Sequence, residues 1–130
     1  MSVTAGIVRM GISSVIESDH VLNTVEAGDS FSDILTFVTQ NIDSWGSRHH
    51  LWDMTRFDFE SVNSHAVHSF IRNGTKLSLK HAGRKTAILV NSEVAFGMTR
   101  MVQLLSEGKF KFEMGVFRDQ DKALAWLKED

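Results

Sequence analysis

The chain of 130 residues contains no cysteine, no proline and no tyrosine. Without cysteine there is no disulfide, no thiolate nucleophile, no zinc–thiolate site and no iron–sulfur cluster. Ordinary usage would place about six or seven prolines in a chain of this length. Their absence excludes PxxP ligands, proline-rich linkers and a slow cis-proline step, and it leaves the turns to Gly, Asn, Asp and Ser. An excess of one charge is missing too. Fourteen Lys and Arg against sixteen Asp and Glu give a formal net charge of −2, without the basic surplus of a dedicated nucleic-acid binder. Apolar runs such as Ala87-Ile88-Leu89-Val90 fall far short of the ~18 residues that span a bilayer. The first fifteen residues lack the apolar core and small-residue cleavage site of a signal peptide. The expectation is therefore a cytoplasmic protein with no membrane span and no nucleic-acid partner, in which Asn73-Gly74-Thr75 matches the glycosylation sequon by chance.

What is present is enough for one domain and one core: 42% of the residues are hydrophobic. Val8, Met10, Ile12 and Ile16 occupy even positions with Arg9, Ser13 and Glu17 between them. That period of two predicts a half-buried strand over 6–17, paired as a hairpin with Val21–Val25. After the turn at Ala27-Gly28-Asp29, Ser30 and Asp33 have capping-box spacing. Phe31, Ile34, Leu35, Val38 and Ile42 then predict a helix over 31–43. A short strand around Leu51 and Trp52 follows. Asp58 is the expected cap of a long second helix with Val62, Ala66, Phe70, Gly74 and Leu77 on one stripe, bending or ending near Gly74.

Lys85–Val90 has the continuous apolar character of a strand covered on both faces. Asn91-Ser92 precedes a third helix through Val94, Met98, Met101 and Leu105. Phe110, Phe112, Met114 and Val116 alternate as a last strand, and Asp119 caps a final helix. The order ββαβαβαβα predicts an α/β fold, a mixed and mostly parallel sheet packed by helices in a single domain over 1–130.

This order is that of STAS domains, and the C-terminal half adds residues to the likeness. Gly83-Arg84-Lys85-Thr86-Ala87-Ile88-Leu89-Val90, Phe96-Gly97-Met98-Thr99-Arg100-Met101, Val116-Phe117-Arg118-Asp119 and Ala123-Leu124-Ala125-Trp126-Leu127 resemble the SpoIIAA-like family of bacterial STAS/SEC14-like proteins. The resemblance is clearest over 83–127; earlier, only Leu51-Trp52-Asp53 and the element order fit. It implies a non-catalytic module that binds a protein partner or a small ligand. STAS antagonists carry a phosphorylated serine in an Asp-Ser-Ser-Gly-type sequence after the third strand. The corresponding stretch here, Asp53 to Ser64, has no such sequence, and Ser61 is the nearest positional counterpart.

Open α/β sheets bind ligands beyond the carboxyl ends of their parallel strands. Those ends present Asp53, Thr55 and Arg56, then Asn91 and Ser92, then Arg118. With the backbone N–H groups of the helix that Ser92 opens, they suit a carboxylate or phosphate, or else they simply cap and solvate. Phe96 and Arg100 share a helix face and could flank an apolar slot. His65 and His68 permit joint metal ligation, but Asn63, Ser69 and Arg72 surround them where a carboxylate would be needed; His49 and His50 point to opposite faces of a strand. No metal and no cofactor is expected. No GxSxG, Walker A, GxGxxG or HExxH sequence occurs, and no catalytic residue is assigned. Two functions stand first: a STAS-like module for a protein partner or small ligand, and a SEC14-like carrier of an apolar or amphipathic molecule with its pocket between the third helix and the sheet. An enzyme using the strand-end polar groups ranks last. Trp45 and Phe57 would either lie at a homodimer contact or cover a core edge.

Overall fold

The computed structural model describes residues 10–129. Strands β1 (Ser13–Ile16), β2 (His20–Thr24), β3 (His49–Asp53), β4 (Lys85–Leu89) and β5 (Glu113–Phe117) form one sheet in that spatial order. Only β1 runs antiparallel to its neighbour. Helices α1 (Phe31–Trp45), α2 (Ser64–Leu77) and α3 (Glu93–Leu105) connect successive parallel strands, and α4 (Gln120–Leu127) follows the last. The α/β class and the order ββαβαβαβα are as expected from the sequence.

Because each crossover steps to the next strand in the same direction, the right-handed rule places α1, α2 and α3 on one face. The packing agrees. Val21, Trp52 and Val90 bury against Ile34, Ile42, Trp45 and Ala95 on that face. Leu51, Ala87 and Leu89 bury against Ala123 and Leu127 of α4 on the other. Strand alternation assigns each residue to its side, so His50 and Trp52 face the three helices while Leu51 faces α4.

The helix starts follow local chemistry. Ser30 accepts from the Asp33 N–H and the Asp33 carboxylate accepts from the Ser30 N–H, a reciprocal cap for α1. Ser92 accepts from Ala95 N–H at the start of α3, and Asp119 accepts from Asp121 N–H at the start of α4. Gly46 ends α1 at φ 61°, a conformation that favours glycine. Lys85, buried on β4, donates its ammonium to the carbonyls of Trp126 and Glu129 and lies over the Trp126 ring, tying the C-terminal end of α4 to the sheet. Gly115 leaves room there: a Cβ would stand 2.7 Å from the Phe117 ring and 3.2 Å from Trp126.

Five expectations change. The first strand begins only at Ser13 and is exposed on both faces, because β1 is an edge strand that the helices do not reach; residues 6–9 of the expected strand lie outside the described residues. The second helix is capped by Asn63, which accepts from Ala66 N–H, and not by Asp58, which precedes a separate 3-10 turn over Phe59–Ser61. That helix runs through Gly74 without ending, since the missing side chain makes room for the Phe110 ring, 3.2 Å from where a Cβ would be. The last strand starts at Glu113, so Phe110 and Phe112 precede it, with their rings stacked 5.2 Å apart. Trp45 and Phe57 are neither exposed contacts nor edge covers: both are buried in the main core, Phe57 stacked on Phe31 at 5.4 Å.

Candidate functional site

Parallel pairing brings the strand ends together, with Asp53, Leu89 and Phe117 in one register row. The polar residues there are engaged locally. The Asp53 carboxylate accepts from the N–H and hydroxyl of Thr55 at 3.0 and 2.6 Å, closing a turn. Arg56 pairs with Glu26 at 3.0 Å, and Ser92 caps its helix. Asn91 is exposed at the rim. Arg118 covers the Phe96 ring at 5.1 Å, while Arg100 donates to Gln103 one turn along the same helix. Phe96 is therefore roofed by a cation and packed against the core. Of the eight residues, Asp53, Thr55, Arg56, Ser92 and Arg100 are engaged by turn closure, capping or polar pairing, Arg118 lies over Phe96, and Asn91 is exposed.

An apolar pocket lies elsewhere. Between the sheet and the helical layer is an apolar cavity of about 130 Å³. Helix α1 contributes Ile34, Leu35, Val38 and Ile42, and α2 contributes Phe70, Gly74 and Leu77. The sheet contributes His50, Trp52, Thr86, Ile88 and Met114 as its floor. Phe110 and Phe112 close one side, and α3 supplies only Thr99 and Val102. The pocket expected between the third helix and the sheet is thus framed mainly by α1 and α2. Leu35 and Leu77 also line an outer recess between these helices, with Ser32, Thr36 and Asn73 around it. These two side chains therefore border both spaces.

Its polar lining is uneven. Thr99 donates to Ala95 carbonyl and Ser78 to Thr75 carbonyl, so both hydroxyls are used within their own turns. His81 Nε2 meets the Lys85 carbonyl at 3.3 Å; since a carbonyl only accepts, that nitrogen carries the proton. His50 and Thr86 differ. They are register partners on β3 and β4, 4% and 5% exposed, and among the described residues neither His50 Nε2 nor Thr86 Oγ1 has a hydrogen-bond partner. A buried polar atom left unpaired costs about 1–3 kcal/mol, so two on one cavity floor need a reason.

The imidazoles are neutral. Burial pushes His50 down to about 3, and charge on His81 or His49 would push the same way. Burial likewise takes His81 down to about 4, against the opposing pull of the Lys85 carbonyl. Their rings stack at 3.7 Å and 14°, and His50 meets the edge of Trp45 at 4.8 Å. His49, on the opposite face, accepts from Lys85 N–H at 3.0 Å and is also lowered, by burial first.

The other sequence candidates stay apart. Ser61 is exposed, ends the short 3-10 turn and donates to Asp58 carbonyl; it is not in the first turn of α2. His65 and His68 are exposed on α2, and among the described residues no three His, Asp or Glu gather around a point that would hold a metal ion. No described helix is long and apolar enough to cross a membrane. His50, Thr86 and His81 were not singled out from the sequence as a site. The available signal was parity: His50 shares a face with Trp52, and Thr86 shares one with Ile88 inside the most apolar strand. No family model, curated protein or solved structure matches the chain, so the SpoIIAA-like resemblance rests on the residues quoted for it.

Proposed function

We propose that this protein is a non-catalytic module that binds a small, mainly apolar molecule inside the cavity between its sheet and helices α1 and α2. The observation that carries the reading is the coincidence of an apolar cavity with two buried, unpartnered polar side chains on its floor. Small-molecule sites have this composition: an apolar wall and a few polar groups that fix orientation. Apolar cavities of about 150 Å³ admit benzene-sized molecules, and about 130 Å³ is close to that. The neutral state of both imidazoles suits binding of an uncharged molecule. A carrier or sensor role fits this site better than an anion role at the strand ends, where the polar groups are already engaged.

The test is uptake of toluene, followed through Trp52, whose ring lines the cavity, and by thermal unfolding. Toluene should raise the unfolding temperature in a saturable way, and Val38→Phe, which places a ring in the cavity, should abolish the effect while the fold stays intact by circular dichroism. Native mass spectrometry of freshly purified protein should show a bound small molecule. A protein that takes up no toluene and carries no co-purifying mass would overturn the proposal.

A further inference from the structure

We infer that the molecule held in this cavity is neutral, has a single ring and carries one hydroxyl group, seated between His50 Nε2 and Thr86 Oγ1. The inference rests on the cavity-binding reading above and names the chemistry of its ligand.

Three observations converge. The first is size: about 130 Å³ matches one ring with a small substituent. The second is charge. No Asp, Glu, Lys or Arg lines the cavity among the described residues. An ionised ligand would leave water without a counter-charge, at a cost that apolar contacts on a molecule this small do not offset. The wall is instead rich in aromatic rings, with Trp52, Phe70, Phe110 and Phe112 among those presented. Ring edges and faces pack well against another ring.

The third observation is the polar pair. His50 and Thr86 sit opposite each other on adjacent strands, face the same cavity and do not bond to one another. One ligand atom between them would satisfy both. A hydroxyl is suited to this because it donates once and accepts as well. It can donate to His50 Nε2 while accepting from Thr86, or do the reverse if that nitrogen carries the proton. A methyl lacks both roles, a halogen or an ether lacks the donating one, and an ammonium lacks the accepting one. The remaining polar side chains noted on the lining, Ser78, His81 and Thr99, already have partners, which limits the ligand to one polar contact point.

The experiment compares p-cresol, toluene and benzoate by calorimetric titration at pH 7.5, on the native chain and on Thr86→Val. Native protein should bind p-cresol at least tenfold more tightly than toluene, because toluene leaves two buried polar atoms unpaired. Benzoate should bind at least tenfold more weakly than p-cresol. In Thr86→Val the preference for p-cresol over toluene should shrink severalfold while toluene binding is retained, which also shows the variant is folded. Equal affinity for p-cresol and toluene in the native chain overturns the inference but leaves the cavity-binding reading standing. Benzoate binding as tightly as p-cresol overturns it in the same way. Failure of all three to bind overturns both.

Discussion

The rings of His50 and His81 lie nearly parallel, 3.7 Å apart, both buried beneath the helices α1 and α2. Stacking at that separation requires at most one charge between them, and burial removes even that. The pair is uncharged wherever the protein is folded at ordinary pH, and this gives the fold a pH dependence of definite sign.

In the unfolded chain a histidine titrates near 6.5. In the fold His81 is held down to about 4 and His50 to about 3. Stability is therefore complete above about pH 6.5 and falls as pH drops toward 4, because the unfolded chain takes up protons that the fold refuses. With both imidazoles contributing, the slope reaches up to about 2.7 kcal/mol per pH unit. Urea midpoints measured from pH 7.5 to 5 should fall steeply below 6.5, and in His81→Phe the fall should be about half as steep. Midpoints flat across this range would show that the imidazoles are not buried neutral.

Thr86 should show the opposing demands of stability and binding. Its hydroxyl is buried without a partner on β4, and valine has nearly the same shape. Thr86→Val should raise the stability of the ligand-free protein by about 1 kcal/mol, since an unpaired buried hydroxyl is removed. Urea unfolding of both forms without ligand measures this directly. A loss of stability would mean that the hydroxyl has a partner in solution.

The fold was largely legible because its signals are local. The Ser30–Asp33 cap, the Ser92 and Asp119 caps and the apolar run of β4 each mark an element boundary in a few neighbouring residues. What could not be read depends on distant neighbours. Gly74 looked like a helix breaker, yet it is kept by the Phe110 ring, more than thirty residues away. Phe110 and Phe112 alternated like strand residues but turn into the cavity before β5 begins. The strand-end residues Asp53, Asn91 and Arg118 were placed correctly on one edge of the sheet, since topology alone brings them there. The cavity itself was hidden because it arises where α1 and α2 fail to fill the space over His50 and Thr86. That is a property of packing among three helices, three strands and the segment before β5, and of no single stretch of sequence.

Lys85 offers a test of how α4 is held. Among the described residues its ammonium is bound by the Trp126 and Glu129 carbonyls and by the face of the Trp126 ring. Hydrogen bonds to a charged group contribute about 1.5–3 kcal/mol. Lys85→Met keeps the aliphatic stem and removes the charge, so it should cost about 2 kcal/mol. Hydrogen exchange should accelerate in α4 before the rest of the molecule, because only that helix loses its tether. An even loss of protection across the sheet would contradict a local role.

Leu77 bears on how a ligand reaches the cavity. With Leu35 it lines both the cavity and the outer recess between α1 and α2, so it borders the passage between the two. Both residues are only half-buried, which leaves their rotamers freer than those of the core. Shortening Leu77 to Ala widens that passage without touching His50 or Thr86 on the far wall. The stability cost should be about 1–2 kcal/mol, below the range for a fully buried leucine. Association and dissociation of toluene should both accelerate severalfold, while the equilibrium constant changes much less, because the passage affects the barrier more than the bound state. Stopped-flow measurement of Trp52 fluorescence reads both rates. If Leu77→Ala changes affinity and leaves the association rate unaltered, the way in lies elsewhere on the cavity wall, with Phe110 and Phe112 the next segment to shorten.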